Sequence, residues 1–178
     1  HNAEHLAQQL KNEIRNKLKL TCSVGITPNK LLSKIASDYK KPDGLTTVKP
    51  EQVEEFLSPL KIREIPGIGK KTEEVFTQMN VHTIEELREI DIFDLNKIFG
   101  RKTGGYIFNS AKGIDTEIVK ERPPTIQFSK IVTLKKNSKE LEFLQENVME
   151  LCVQLNKIAI ENNKMYRSIG IQFVNEDL

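Results

Sequence analysis

A turn built from proline and glycine, residues 66–69 in the stretch IPGIGKKT (65–72), restricts the fold of this chain more than any other feature. Apolar residues precede the turn, and a helix-forming stretch that begins at Lys70 follows it. Glycine lets two backbone segments approach closely, and the free N–H groups at a helix N-terminus attract phosphate. The stretch therefore predicts a tight hairpin between helices, with a candidate phosphate site at the hairpin.

The residues around this hairpin, 50–114, have the periodicity of several short helices and no strand-like alternation. Pro50 suits a first helical turn, and Gly113 suits a helix end. We predict helices over about 51–57, directly after the PGIG turn, and over 84–90, 92–98 and 102–112. This part of the chain is therefore expected to be all-helical.

Residues 1–49 switch between helical and strand patterns. An apolar residue recurs every fourth position from Leu6 to Leu18, which predicts a helix over 3–19. The elements expected next are a strand (20–26), a helix with Thr27 as its N-cap and Pro28 in its first turn (to about 39), a turn (40–44) and a strand (45–48). Together they predict an α/β fragment that is too small for a complete doubly wound sheet.

The last third of the chain combines a linker with a β-α-β pattern. Residues 114–127 lack a helical period and contain two adjacent prolines, which predicts an extended linker. A strand (128–134), a long helix capped by Ser138 (138–163) and a closing strand (169–173) are expected to follow. A unit of this size needs further strands to be stable. The predicted fold class is a multi-domain α+β fragment, with an α/β part, an all-helical part and a β-α-β part.

Charge is unevenly distributed, although the formal net charge is only +2. Four lysines and no acid lie between Pro123 and Lys139, whereas seven acids and one arginine lie between Glu73 and Asp94. Such patches favour a protein that meets a polyanion on certain faces, although ordinary solvated faces have the same composition. Two distant cysteines and the lack of any apolar run of membrane length favour an intracellular setting, cytoplasmic or, in a eukaryote, nuclear.

The IPGIGKKT stretch does not match two common phosphate-binding motifs. A Walker A loop needs a glycine where Glu64 stands, and a dinucleotide fingerprint needs a preceding strand. A helix-hairpin-helix remains, in which the hairpin N–H groups bind a backbone phosphate of a duplex and Ile68 packs inside. An ordinary helix–helix turn is the alternative. A second, degenerate copy over 95–107 places Gly100 before Arg101 and Lys102.

Three stretches together resemble a known family. SVGITPNKLLSKIASDYKKPDGL (23–45), IREIPGIGKKT (62–72) and IVTLKKNSKEL (131–141) are similar, in order and spacing, to Y-family (DinB-like, DNA polymerase IV type) translesion DNA polymerases. The resemblance covers nearly all of the chain. It implies the C-terminal part of a palm (1–49), a helical thumb (50–113), a linker (114–127) and the first half of a little-finger domain (128–178).

The resemblance also implies a function. The family copies DNA past lesions, uses Mg²⁺, binds primer–template DNA and a dNTP, and interacts with a sliding clamp. A monomer without membrane contact is expected. The family's catalytic carboxylates lie upstream of the part matched here, so neither a catalytic residue nor a metal ligand is expected in this chain, which alone should be inactive.

Individual residues of the chain match functional positions of the family. Lys41 matches a lysine that contacts the incoming triphosphate. The positions that match DNA contacts are Gly67, Ile68, Gly69, Lys70, Lys71, Gly100 and Lys102 in the thumb, and Lys130, Thr133 and Lys135 in the little finger.

Two other functions fit the same residues. One is a non-catalytic helix-hairpin-helix module that holds duplex DNA, and the other is a helical protein-interaction domain. The palm-like stretch 23–45 favours the polymerase over the first alternative, because a separate hairpin module has no use for it. Salt-dependent duplex binding would separate both DNA-binding functions from the interaction domain.

Overall fold

The computed structural model describes residues 2–121, 127–134 and 136–174. The chain forms two compact units, His1–Lys120 and Glu121–Leu178. In the part of the chain that the structure describes, no helix combines the length and the apolar character needed to cross a membrane.

The first unit begins with the predicted helix–strand–helix–strand order. Helix α1 (Ala3–Leu18) leads to strand β1 (Val24–Ile26), and helix α2 (Lys30–Tyr39) leads to strand β2 (Leu45–Thr47). The two strands are parallel, and α2 forms the crossover between them. A parallel pair needs such a crossover, and one face of α2 covers the strands. The four buried residues of α2 are those expected to face inward: Leu31, Leu32, Ile35 and Ala36.

The prediction that Thr27 caps α2 is wrong, because the helix begins three residues later. Asn29 is the N-cap, and its side-chain oxygen accepts a hydrogen bond from the N–H of Leu32 at 2.9 Å. Thr27 instead donates its hydroxyl to the carbonyl of Asn29 at 2.9 Å. Asn29 is still extended, with φ −147° and ψ 172°, so the helix cannot begin before Lys30, and Pro28 precedes it.

The remainder of the first unit is helical, as predicted. Its elements are a 3₁₀ turn (Pro50–Gln52), α3 (Val53–Leu57), a second 3₁₀ turn (Ile62–Glu64), α4 (Lys70–Gln78), α5 (Ile84–Arg88), α6 (Ile92–Phe99) and α7 (Arg101–Ala111). Thr83 and Glu86 form a capping box at the start of α5, in which the side chain of each residue accepts a hydrogen bond from the backbone N–H of the other.

One hydrophobic core joins the α/β part to the helices. Leu32 and Ile35 of α2 are 1% and 2% exposed, and they lie in the same buried cluster as Leu57 and Ile107. Where α7 ends, Gly113 has φ +69°, and the added Cβ of an alanine there would lie 2.5 Å from Val53. The segment after α7 therefore packs tightly against this core.

Polar contacts also hold that segment against the N-terminus of α2. The Asn29 amide donates to the carbonyl of Gly113 at 2.8 Å, and the N–H of Leu31 donates to Asp115 at 3.1 Å. Lys30 and Glu117 form an ion pair at 2.5 Å. An acid at a helix N-terminus interacts favourably with the helix dipole, so Asp115 stabilises this arrangement.

Helix α1 shows its apolar stripe to solvent. Leu6, Leu10 and Leu18 are 64%, 52% and 63% exposed, whereas Ala7 and Lys11 are buried. The helix was predicted from these leucines, but in the structure the residues that hold it against the strands are its small and basic ones.

The second unit contains α8 (Leu141–Glu161), and the two strands predicted on either side of it are absent among its described residues. Residues 128–134 and 169–174 have no regular secondary structure and no ladder partner in the described chain, and Ile131 and Ile169 are 92% and 73% exposed. A strand is stable only when a neighbouring strand pairs with its backbone N–H and C=O groups, and a strand-like sequence does not by itself provide that neighbour.

The predicted cap of α8 is also wrong. The helix begins at Leu141 after Glu140, and Ser138 accepts a hydrogen bond from the N–H of Glu140 at 3.1 Å, in a turn before the helix. The predicted apolar side of α8 is half-buried over Leu144, Val148, Leu151, Leu155 and Ile158, whereas Leu141 is exposed.

Candidate nucleic-acid interface

The first hairpin is fixed to the core by three isoleucines. Ile62, Ile65 and Ile68 are 2%, 0% and 6% exposed, so Ile68 packs inside the hairpin as expected. The N–H of Ile65 donates to the carbonyl of Ile62, and that of Ile68 donates to Ile65, each at 3.1 Å. The loop is thus a series of tight turns whose apolar side chains all point into the core.

The element that leads into this hairpin is the 3₁₀ turn Ile62–Glu64, not the helix predicted over 51–57. Lys61 pairs with Thr83 in an antiparallel bridge, and the N–H of Ile62 donates to the carbonyl of His82 at 3.1 Å. Helix α3 ends at Leu57, Pro59 follows in a turn, and the N–H of Leu60 donates to the carbonyl of Leu57 at 3.0 Å, so a turn and the extended residue Lys61 separate α3 from the hairpin.

The two glycines of the first hairpin differ in whether the backbone conformation requires a glycine. Gly67 has φ +87°, a left-handed conformation that other residues adopt only with strain. Gly69 has φ −92° and ψ 178°, which any residue can adopt, and an added Cβ there would meet nothing within 4 Å. No contact within the described chain therefore requires a glycine at this position. Its small size leaves space in front of the α4 N-terminus.

The start of α4 presents unpaired donors to that space. The first backbone bond into the helix runs from Glu73 to the carbonyl of Gly69 at 3.0 Å, and the N–H groups of Lys70, Lys71 and Thr72 have no acceptor in the described residues. Both lysines are exposed. Free N–H groups, the positive end of the helix dipole and two ammonium groups together form a surface that favours an anion.

Tyr106 of α7 connects the second hairpin to the first, a role that was not predicted from the sequence. Its hydroxyl donates to the carbonyl of Pro66 at 2.5 Å, and its ring lies 3.6 Å from the position that a Cβ would take at Gly67. Nothing in the sequence around Tyr106, four positions after Lys102, indicates this contact.

The second hairpin joins α6 to α7 through one residue, Gly100, which has φ +80°. Arg101 and Lys102 follow it, both exposed, and the first turn of α7 contains no acid. Inside α7, a Cβ added at Gly104 would lie 2.7 Å from the Leu95 carbonyl carbon and 2.8 Å from the Asn96 nitrogen. The two helices therefore touch backbone to backbone, which only a glycine permits.

Lys41 lies in the predicted turn between α2 and β2, and it is exposed. Its ammonium forms an ion pair with Asp38 at 2.5 Å, and Lys34 forms another with the same carboxylate at 2.5 Å. The hydrogen bonds from Lys34 and Lys41 lower the pKa of Asp38. A charged, solvent-facing ammonium held by one carboxylate is free to exchange that partner for a phosphate.

Two of the residues predicted to bind DNA in the second unit lie outside any helix or strand. Lys130 and Thr133 are exposed on the segment before α8, where the predicted strand does not form. Lys135 lies outside the described residues.

Among the described residues, no group of three or more His, Cys, Asp or Glu side chains could hold a metal ion. The family resemblance implies that the carboxylates for Mg²⁺ lie upstream of the part matched here, and the described side chains do not form a site that fits the ion. No chemical step through Mg²⁺ is therefore assigned to them.

Two family models match the chain at the regions just described. Residues 63–115, which contain both hairpins, match the thumb domain of DNA polymerase-iota, and residues 1–38 match the impB/mucB/samB family. The hairpin region thus matches a DNA-polymerase thumb in its sequence pattern.

Known relatives agree with these models. The chain is 62% identical, over all its 178 residues, to 49% of the DNA polymerase IV of Nitrosopumilus maritimus (strain SCM1). DinB from Sulfolobus solfataricus is 35% identical, with a TM-score of 0.61 over 67% of this chain and 35% of that one. The insertion ternary complex of Dbh DNA polymerase gives the same identity, TM-score and coverage. The chain belongs to the Y-family of DinB-like DNA polymerases, and it spans about half the length of the curated relatives it matches.

Proposed function

We propose that this chain forms part of a DNA-directed DNA polymerase that copies past lesions, in which it binds the primer–template and contacts the incoming dNTP. Relatives named DNA polymerase IV support the activity, and a related polymerase solved as an insertion ternary complex supports binding to substrates. The proposed domains are a partial palm (1–49), a thumb (50–113), a linker (114–127) and part of a little finger (128–178).

The observation that carries this proposal is the free space at the N-terminus of α4. Gly69 has no neighbour that requires a glycine, and the N–H groups of Lys70 and Lys71 have no acceptor in the described residues. A glycine whose backbone conformation any residue could adopt, placed before unpaired donors, is explained when a backbone phosphate occupies the space. Gly100 and Lys102 lie at a second helix N-terminus, that of α7, but the φ of +80° at Gly100 already explains that glycine.

The remaining proposed contacts have other targets. Lys41 would exchange its bond to Asp38 for the triphosphate of the dNTP. Lys130, Thr133 and Lys135 would face the template backbone, Mg²⁺ would be held by carboxylates outside the described residues, and a sliding clamp would bind a monomeric enzyme. Removing the Lys41 side chain in the complete polymerase should raise the KM for dNTP and leave the affinity for DNA nearly unchanged.

The test of DNA binding uses the 178-residue chain itself. It should bind a primer–template duplex with an affinity that falls steeply as salt rises, because phosphate contacts release counterions. With dNTPs and Mg²⁺ it should extend no primer, since the described residues contain no carboxylate cluster for two metals. Binding that does not depend on salt would contradict the phosphate site.

A non-catalytic helix-hairpin-helix module is the second candidate, and the two hairpins by themselves would suit it. The α/β part distinguishes the candidates. If the complete polypeptide that contains this chain binds duplex DNA but extends no primer, the module is the better description.

A further inference from the structure

A lysine on α1 is almost fully buried, although most of the helix is exposed. The side chain of Lys11 is 7% exposed, and its ammonium donates to three oxygens: the carbonyl of Cys22 at 2.6 Å, a carboxylate oxygen of Asp43 at 2.7 Å and the carbonyl of Gly44 at 3.1 Å. An ammonium has three protons, so all of them are used. Burying this charge is costly unless it is paired and hydrogen-bonded, and Lys11 has both.

Its acceptors lie on the two chain segments that enter the parallel strands. Cys22 precedes β1, and Gly44 directly precedes β2. The carbonyl of Gly44 also accepts the N–H of Val24 at 3.0 Å, and the N–H of Gly44 donates to the hydroxyl of Ser23 at 3.0 Å. Lys11 thus fastens the beginning of β2 to the beginning of β1.

The same contacts fix the end of the loop that carries Lys41. Asp43 is two residues from Lys41, and its carboxylate binds Lys11 and also Arg15, one turn further along α1. Lys11 makes the largest contribution to a lowered pKa of Asp43, which keeps this carboxylate charged. At its other end the loop is continuous with α2, and Lys41 itself contacts Asp38.

We propose that Lys11 is a positioning residue for Lys41: its buried ammonium holds Asp43 and Gly44, and thereby aims the Lys41 ammonium at the phosphates of a nucleoside triphosphate. This inference rests on the proposed function, because it gives Lys11 an effect on nucleotide use through Lys41. An arginine cannot replace it, since a planar guanidinium does not present three protons to acceptors around one nitrogen.

The first measurement uses the 178-residue chain and does not depend on polymerase activity. Lys11→Met keeps the length of the side chain and removes the charge. The amide protons of Gly44 and Val24 should exchange with solvent about tenfold faster or more, while those of α6 and α7 keep their rates. Lys17→Met is the matched control on the same helix, since Lys17 is exposed and pairs only with Glu13 in the described chain.

The second measurement uses the complete polypeptide that contains this chain, with a primer–template and one dNTP. Lys11→Met should raise the KM for dNTP by about five- to tenfold with kcat nearly unchanged, and combining it with Lys41→Ala should add almost nothing to the effect of Lys41→Ala alone. Lys17→Met should leave both parameters unchanged. If Lys11→Met does not fold, Asp43→Asn takes its place, because it leaves Lys11 its two carbonyl acceptors. Asp43→Asn should raise the KM in the same way but by a smaller factor.

The outcomes separate this inference from the proposed function. If Lys41→Ala raises the KM and Lys11→Met does not, the positioning role is overturned and the nucleotide contact stands. Independent, additive effects would also overturn it, because Lys11 would then act on something other than Lys41. An unchanged KM for Lys41→Ala overturns the nucleotide contact and the role of Lys11 with it.

Discussion

The two hairpins of the first unit present the same kind of surface but are supported in different ways. Beneath the first, the side chains of Ile62, Ile65 and Ile68 fill the space between loop and core. At the second, α6 and α7 touch directly at Gly104, and the loop is a single residue. Both end in a helix N-terminus followed by two exposed basic residues. A glycine in one hairpin therefore cannot be assigned the role of a glycine in the other.

The difference predicts opposite results for two adjacent alanine substitutions in α7. Gly104→Ala should destabilise the first unit by about 1–3 kcal/mol, because the new Cβ collides with the backbone of α6. Gly105→Ala is the matched control, since a Cβ there meets nothing within 4 Å, and it should stabilise by up to about 1 kcal/mol through helix propensity. Urea denaturation measures both. Equal stabilities would show that α6 and α7 are not in backbone contact.

At the first hairpin, a change of similar size should affect binding and leave the fold intact. Gly69→Val should weaken duplex binding about tenfold or more, since its side chain would keep a phosphate away from the free N–H groups of α4. The melting temperature should fall only slightly: the site is open and the backbone conformation is ordinary, but Gly69 is the N-cap of α4, where valine is less favourable than glycine. Gly69→Ala should weaken binding less. Wild-type affinity for the valine variant would mean that no ligand approaches this glycine.

The basic pairs of the two hairpins can be compared by salt dependence. Replacing Lys70 and Lys71 with alanine should reduce the slope of log K against log salt by about 0.9 for each DNA phosphate that the variant no longer neutralises. Replacing Arg101 and Lys102 should do the same if the second hairpin also binds the backbone. High salt should mask both effects and spare that of Gly69→Val, because only the charges are screened. An unchanged slope for one pair would assign the DNA contact to the other hairpin.

The smallest difference between the hairpins is one carboxylate. Glu73 lies in the first turn of α4 and pairs with Arg63 at 3.6 Å, whereas the first turn of α7 has no acid. Glu73→Gln should raise duplex affinity about twofold at low salt by removing a repelling charge, and it should lower stability by about 0.3–1 kcal/mol through the helix dipole. Fluorescence anisotropy and thermal melting test the two effects, and a fall in affinity would contradict the expected sign.

Periodicity predicted most of the first unit, because local patterns determine short helices that pack on one core. It failed where an element depends on distant partners. Among the described residues, segments 128–134 and 169–173 have strand-like sequences but form no ladder, and the chain enters the first hairpin through Lys61, which is bridged to the distant Thr83. Neither partner can be identified from the sequence of the segment itself.

The residues of the candidate site also divide into those that local sequence predicted and those that depend on distant partners. The glycines and lysines of the first hairpin lie in one continuous stretch, so the sequence brought them together. Lys11 and Tyr106 were missed because their partners, Asp43 and Pro66, are 32 and 40 residues away. The glycine pair inside α7 could have indicated a close contact, but the sequence does not show that Gly104 and not Gly105 makes it.

The three isoleucines under the first hairpin have a consequence for the thermodynamics of binding. Ile62, Ile65 and Ile68 are buried in the core, so the loop cannot unfold without opening the core. The free energy of unfolding the loop is therefore no lower than that of opening the core. A ligand that binds there does not have to order the backbone, so the association entropy contains no folding term and the heat-capacity change should be small. Encounter with the ligand, rather than a rearrangement of the loop, should then limit the association rate.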